Sequence, residues 1–231
     1  MTPARRTGTA AGVLLLLLAL LTAFVAVRHG APLPGDPALH RWPLDHRPPV
    51  AVAAARAVTA TGTGVFPYVL AVVAGLIAGR DSVRRRYAVA GALAVLLLGQ
   101  AVRYGLMVVV ARPRPAALDW ATTASGHSFP SGHTATSALT AGLLIWGVLL
   151  RSRLSAARFT VALIALWAVA VGLSRVYLGV HWASDVLGGW LFAALWLCLA
   201  SLATAPYVRA LRTDPSDVPE DPAAPAPTQL P

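Results

Sequence analysis

Six apolar runs, separated by short polar segments, restrict this chain more than any other feature of its sequence. Helices of about 20 residues cross a hydrocarbon core of about 30 Å, and inside lipid a helix satisfies its own backbone hydrogen bonds. Hydrophobic residues make up 57% of the 231 residues and charged residues 12%, which excludes an ordinary soluble domain. The sequence therefore predicts an all-α, polytopic membrane bundle of six transmembrane helices, at residues 10–27, 63–78, 87–111, 132–150, 158–173 and 184–204.

The six runs form one predicted membrane domain, residues 10–205, preceded by a short cytoplasmic segment at 1–9. The tail at 206–231 is rich in proline and aspartate, and this composition predicts disorder. The segment at 28–61 also contains many prolines, and we expect a loop with one helix at the membrane interface, anchored by Trp42. The first run could instead be a cleaved signal peptide, but its length favours an uncleaved span.

Arginine supplies all 19 basic residues, and its distribution predicts the orientation of the bundle. With six spans, both termini lie on one side, and most of the arginines fall on that same side. Arginine-rich short loops stay in the cytoplasm, so the opposite side, with the 28–61 segment, faces outward. Three arginines break this charge rule on the outer face, which suggests that chemistry retains them: Arg112, Arg114 and Arg175.

The net charge of +10 does not indicate a nucleic-acid-binding protein, because the arginines are scattered through short loops and form no basic face. The single Cys198 excludes an intramolecular disulfide framework. The expected partners are the lipid bilayer and a substrate held in it, and nothing in the pattern specifies an oligomeric state.

The most informative polar stretch is 174–185, Ser-Arg-Val-Tyr-Leu-Gly-Val-His-Trp-Ala-Ser-Asp, which lies between two apolar runs. Helix packing in a membrane does not require the cation, imidazole and carboxylate of Arg175, His181 and Asp185, so a functional role is expected. His181 and Asp185 lie four residues apart, so the carboxylate can hold one ring nitrogen, aim the other outward and make the imidazole more basic. This arrangement is typical of a histidine nucleophile.

A second polar cluster lies upstream and consists of Arg-Pro-Arg-Pro at 112–115 and Phe-Pro-Ser-Gly-His at 129–133. Guanidinium groups pair with phosphate oxygens, and the start of a helix offers free backbone amides and a favourable dipole. The sequence thus predicts an anion site with His133 near the leaving-group oxygen, in which the anion is bound by Arg114, Arg175, Ser131 and Gly132.

Two motifs in these clusters resemble signatures of the type 2 phosphatidic acid phosphatase superfamily. They are Pro130-Ser-Gly-His133, and Ser174-Arg175 followed by His181 and Asp185. Arg114-Pro115 fits the end of the third family motif. The superfamily includes lipid phosphate phosphatases, bacterial diphosphate-lipid phosphatases and the vanadium haloperoxidases. The resemblance implies a membrane bundle with an acid-phosphatase/haloperoxidase-like core. It also implies hydrolysis of a lipid phosphate or lipid diphosphate, at a site that the arginine distribution predicts to face outside the cytoplasm.

The resemblance assigns catalytic roles as well. His181, aligned by Asp185, attacks phosphorus and forms a phosphohistidine, while His133 protonates the departing group. Arg114 and Arg175 hold the charge on the phosphoryl oxygens, so no metal or other cofactor is expected. The two histidines and the aspartate could instead form a three-ligand zinc set, but the nearby arginines would repel the cation.

Met107 stands where the family motif has a lysine, with six residues between it and Arg114-Pro115. Arg103 lies one turn earlier on the same helix face and is a tentative phosphate ligand in place of that lysine. Against this, its Cα lies about 6 Å deeper in the membrane, and helical side chains lean toward the N-terminus. The alternative is a structural hydrogen bond with Gln100 or with a neighbouring span.

Two other functions are compatible with the sequence. A vanadate-dependent haloperoxidase would share the motifs, although six membrane spans argue against it. A non-catalytic lipid-binding or transport relative would have a site degraded at Met107, although the other motif residues are intact. Four histidines match no motif position. His29, His40 and His46 could form a metal-binding loop, but their irregular spacing among prolines favours solvated surface residues. His127 is expected to be a loop residue.

Overall fold

The fold is a bundle of α-helices. The computed structural model describes residues 2–212 and contains no strand within that range, so the predicted all-α bundle is confirmed. The helices are α1 (Pro3–Val27), α2 (Asp36–Asp45), α3 (Pro49–Ala60), α4 (Phe66–Ala78), α5 (Ser82–Val110), α6 (Gly132–Arg151), α7 (Leu154–Tyr177) and α8 (Ala183–Arg212).

Five helices, α1, α5, α6, α7 and α8, are long and apolar enough to cross a membrane. They coincide with five of the six predicted spans. The remaining predicted span, 63–78, is helical only from Phe66. A turn containing Gly64 at φ 66° precedes the helix, and Pro67 lies in its first turn. Its 13 residues are about 20 Å long, which is shorter than a hydrocarbon core of about 30 Å.

Helix α6 lies at the centre of the bundle. Half of its 20 residues are buried, and it packs against α4, α5, α7 and α8. Small residues permit these close contacts, since a Cβ on Gly147 would lie 2.7 Å from the carbonyl oxygen of Ala74 in α4. The outer helices expose large apolar side chains such as Leu15 of α1 and Val109 of α5, as helices in contact with lipid do.

The segment at 28–61 contains two helices, α2 and α3, where the sequence predicted one helix and a loop. A left-handed Gly35 precedes α2, and Pro49 opens α3, so each helix has its own start signal. Both helices pack on α7, and α2 also contacts α8. His40 is consequently buried, with its Nε2 2.9 Å from Asp119 Oδ2, and the prediction of a solvated side chain was wrong for this residue.

The terminal helices extend beyond the predicted limits of the membrane domain. Helix α1 begins at Pro3, with Thr2 as its N-cap, and not after residue 9. Helix α8 continues to Arg212, so residues 206–212, which were assigned to a disordered tail, are helical. The rest of that predicted tail, 213–231, lies outside the described residues.

Replacing Gly75 by alanine should destabilise the contact between α4 and α5. A Cβ at this position would overlap the backbone of Val89, so the two helices must separate, at a cost of about 1–3 kcal/mol. Thermal unfolding of the purified protein in detergent measures this loss. Gly91→Ala in α5 is the matched control, because a Cβ there has no neighbour within 4 Å. Equal melting temperatures for the two variants would contradict the close packing.

Candidate active site

The motif-bearing loops meet at one end of the bundle. Helices α5 and α7 end there, and α6 and α8 begin there, which brings the loops at 111–131 and 178–182 together. A cavity of about 760 Å³ lies between them. Six of the eight site residues predicted from the sequence line it: Arg103, Arg114, Gly132, His133, Arg175 and His181.

Two partners fix the imidazole of His181. Arginine has only N–H donors, so the 2.9 Å contact from Arg114 Nη1 requires His181 Nε2 to be the acceptor. Nδ1 then carries the proton and donates to Asp185 Oδ2 at 3.3 Å. Burial lowers the pKa of His181 to about 4, although the hydrogen bond with Asp185 acts to raise it. At physiological pH the imidazole is therefore neutral, with an unprotonated Nε2.

The start of α8 positions Asp185. This aspartate is the third residue of the helix, and its Oδ2 accepts the backbone N–H of Trp182 at 2.9 Å, as an acidic residue does in a capping box. Just upstream, Gly179 adopts a φ of 75°, and a Cβ there would overlap the carbonyl oxygen of Asp119. The tight turn that this glycine permits brings His181 back against the carboxylate.

A buried ion-pair cluster holds the other oxygen of Asp185. Arg112 donates to Asp185 Oδ1 at 2.6 Å and to Asp36 Oδ2 at 2.9 Å, and the three side chains are at most 3% exposed. Ser184 hydrogen-bonds to both Arg112 and Asp36. Arg112 therefore binds the two carboxylates and does not line the cavity, although its place in a loop predicted to face outward suggested that chemistry retains it.

Arg114 fastens the loop at 125–127 to the nucleophile. Besides His181, its guanidinium donates to the backbone carbonyls of Ser125, Gly126, His127 and Val180, at 2.8–3.1 Å. All five of its N–H donors thus have an acceptor. A phosphate can bind Arg114 only by replacing one or more of these acceptors.

Arg175 and Arg103, in contrast, keep donors without a partner. Arg175 is 2% exposed and donates to Thr59 Oγ1 at 2.9 Å, and its Nε has no acceptor. Arg103 donates to Met107 Sδ at 3.3 Å, and its Nε is also buried and unpaired. A Cβ on Gly132 would lie 3.4 Å from the guanidinium carbon of Arg103, so this cation lies against the start of α6. Because unpaired buried donors are costly, both groups favour an anion in the cavity.

The first turn of α6 offers further donors. The amides of Gly132 and His133 have no acceptor within the helix and lie at the positive end of its dipole. His133 Nε2 is 3.4 Å from Thr63 Oγ1. Ser131 differs, because its side chain is fully buried and its N–H donates to the carbonyl oxygen of Asp185 at 3.1 Å. It joins α6 to α8 and does not line the cavity.

The cavity is cationic. Three arginines line it, and none of the described residues around it is an aspartate or glutamate. Asp185 faces Arg112 and the protonated Nδ1 of His181. Within residues 2–212, no three His, Cys, Asp or Glu side chains are grouped closely enough to hold a metal ion. The arrangement suits a compact, multiply charged anion.

Sequence reasoning missed the contribution of the segment before α4. Asp36, Thr59 and Thr63 each hydrogen-bond to a residue of the motif clusters. Asp36 had a signal, since it is the first acid in an acid-poor chain and stands at the start of a helix, between Gly35 and Pro37. The two threonines had none, because single hydroxyls are common in apolar segments.

Comparison with known proteins places the chain in a family. The PAP2 superfamily model matches residues 88–208, which is 121 of the 231 residues. Over 67 residues the chain is 45% identical to phosphatidylglycerophosphatase B of Bacillus subtilis (strain 168), a match that covers 28% of this chain and 33% of that protein. The chain thus matches about a third of the length of this curated relative.

Solved structures extend the similarity to most of the bundle. The crystal structure of a transmembrane PAP2-type phosphatidylglycerolphosphate phosphatase from Bacillus subtilis superimposes with a TM-score of 0.72 and 26% identity, over 85% of this chain and 96% of that one. Aquifex aeolicus LpxE superimposes with a TM-score of 0.58 and 24% identity, over 71% and 93%, and supports the fold alone. The chain is therefore a multi-pass membrane protein that belongs to the PAP2 superfamily.

Proposed function

We propose that this protein is an integral membrane phosphatase that hydrolyses a lipid phosphate or lipid diphosphate through a phosphohistidine on His181. The observation that carries the proposal is the cavity itself, in which three guanidinium groups and a helix N-terminus surround a neutral imidazole and no described carboxylate lines the wall. The two Bacillus subtilis proteins are named for phosphatidylglycerol phosphate, which makes that lipid the first substrate to test.

The first chemical step transfers the phosphoryl group to the enzyme. An entering phosphate takes the Arg114 N–H that otherwise binds His181 Nε2, and this exchange frees the nitrogen lone pair. The Nε2–P bond forms as the P–O bond to the lipid breaks, and His133, protonated beside the negative charge of the bound phosphate, gives its proton to the departing oxygen. Arg103, Arg114 and Arg175 hold the charge on the other oxygens.

The second step releases phosphate. Water attacks phosphorus, His133 accepts a proton from that water, and the P–N bond breaks to return its electron pair to Nε2 of His181. Asp185 keeps the proton on Nδ1 throughout, so the same ring nitrogen acts as nucleophile and leaving group. The arginines supply the positive field in both steps.

Brief reaction with ³²P-labelled phosphatidylglycerol phosphate should label the wild-type protein with an acid-labile, base-stable phosphoryl group. His181→Ala should lose both the label and at least about 10⁴-fold in kcat/KM, because the nucleophile is gone. His127→Ala is the matched control, since its side chain belongs to the same cavity without a role in the steps above, and it should retain activity within about threefold. Phosphate release by His181→Ala at the wild-type rate would refute the proposal.

We propose further that Arg103 supplies the charge that a lysine at position 107 would supply. Arg103→Ala should lower kcat/KM by about 10²-fold, and adding Met107→Lys to that variant should restore at least about tenfold of the loss. The physical reason is that the new ammonium group arises one helical turn from the missing guanidinium, on the same cavity wall. An Arg103→Ala protein with full activity, or a double variant no better than the single one, would count against this role.

We infer from the arginine distribution that the cavity opens outside the cytoplasm. In a Cys198→Ala background, Leu118→Cys, at a fully exposed position of the 111–131 loop, should react in intact cells with a thiol reagent that does not cross membranes. Ser152→Cys, between α6 and α7 at the other end of the bundle, should react only after permeabilisation. The reverse pattern would place the site in the cytoplasm.

A further inference from the structure

We propose that Asp36 is a positioning residue for the nucleophile, acting through Arg112 on Asp185. This inference rests on the proposed phosphohistidine chemistry. Asp36 lies at the start of α2, outside the residues 88–208 that the family model matches, and it does not line the cavity.

Asp36 has more hydrogen bonds than helix capping alone would require. Its Oδ2 accepts from Leu33 N at 2.9 Å, from Arg112 Nη2 at 2.9 Å and from Ser184 Oγ at 2.6 Å. Its Oδ1 accepts from Ser184 N at 2.9 Å. A carboxylate with four donors at 2% exposure is held in one orientation. Two of these donors belong to the residue that directly precedes Asp185.

The cluster is an alternating series of charges that ends at the nucleophile. One guanidinium, Arg112, lies between the carboxylates of Asp36 and Asp185, and the second carboxylate contacts His181 Nδ1. The sum of one cation and two anions is a single negative charge behind the imidazole. If a neutral side chain replaced Asp36, Arg112 would neutralise Asp185 alone. The cluster behind the imidazole would then have no net negative charge.

A negative charge behind Nδ1 makes Nε2 more basic. A more basic Nε2 forms the bond to phosphorus faster, and it leaves phosphorus more slowly. Removing the Asp36 charge should therefore change the two steps in opposite directions. Phosphorylation slows and dephosphorylation accelerates, a pattern that a loss of folded protein cannot produce.

Rapid-quench measurements with ³²P-labelled phosphatidylglycerol phosphate give both rate constants. For Asp36→Asn we expect phosphorylation to slow by about tenfold or more, the size typical of losing a residue that supports a ligating or catalytic histidine. We expect the labelled enzyme to lose phosphate about threefold faster. Asp36→Glu, which restores the charge, should recover most of both changes.

Asp119→Asn is the matched control. Asp119 also pairs with a residue of α2, His40, but has no hydrogen bond to Arg112 or Asp185. Both of its rate constants should stay within about twofold of wild type. Because dephosphorylation is followed only on labelled molecules, a misfolded fraction does not enter that rate constant.

Should Asp36→Asn yield no labelled protein, Ser184→Ala carries the test. It removes the hydroxyl shared by Arg112 and Asp36, so Arg112 Nη1 donates to Asp185 alone. The same opposite changes are expected at smaller size. Unchanged rate constants in a labelled variant, or equal slowing of both steps, would overturn the inference alone. Absence of label on wild-type His181 would overturn the proposed function, and this inference with it.

Discussion

A buried arginine shared between two buried aspartates holds the site end of this bundle together. Arg112 is fully buried, and each of its carboxylate partners comes from a different part of the chain, Asp36 from α2 and Asp185 from α8. A buried charge that lost one partner would destabilise the fold by several kcal/mol, so the three residues constrain one another. The same constraint aims the Asp185 carboxylate at His181, which makes the stability of this end and the geometry of the imidazole inseparable.

The cluster of Arg112, Asp36 and Asp185 also determines on which side of the His181 imidazole the negative and positive charges lie. The aspartates are used behind the imidazole, and the arginines in front of it have no carboxylate partner among the described residues. A bound anion can therefore gain the full attraction of Arg103 and Arg175, because no fixed carboxylate competes for their donors. Met107 fits this scheme as a neutral contact for Arg103, where a lysine would have added a fourth cation.

The motifs predicted which loops meet, because each one combines chemistry with a helix end. A Ser-Gly-His at the start of one apolar run and an Arg, His and Asp between two others come together when antiparallel helices pack. Gly132, His133, Arg175 and His181 line the cavity, whereas Ser131 and Asp185 are buried beside it. The sequence predicted only one helix in the segment at 28–61 and none of the contacts that residues 28–63 make with the site, because α2 and α3 are short and prolines stand within or at the start of each. The contacts with Arg112, Arg175 and His133 depend on tertiary packing, which leaves no periodic signal. The predicted start of α4 was wrong for a related reason. Hydropathy does not show that a turn containing Gly64 precedes the helix, which therefore begins at Phe66.

Arg114, a predicted phosphate-binding residue, also shields the nitrogen of His181 that is proposed to attack phosphorus. In the structure it donates to the lone pair of His181 Nε2, and four backbone carbonyls hold it there. An uncharged electrophile that enters the cavity therefore encounters a nitrogen whose lone pair already accepts a hydrogen bond from Arg114. It has no anionic oxygen that could replace this nitrogen as the acceptor for the guanidinium. Only a ligand with negatively charged oxygens can replace His181 as the acceptor for Arg114, so the site selects ligands by charge before the bond from Nε2 to phosphorus forms.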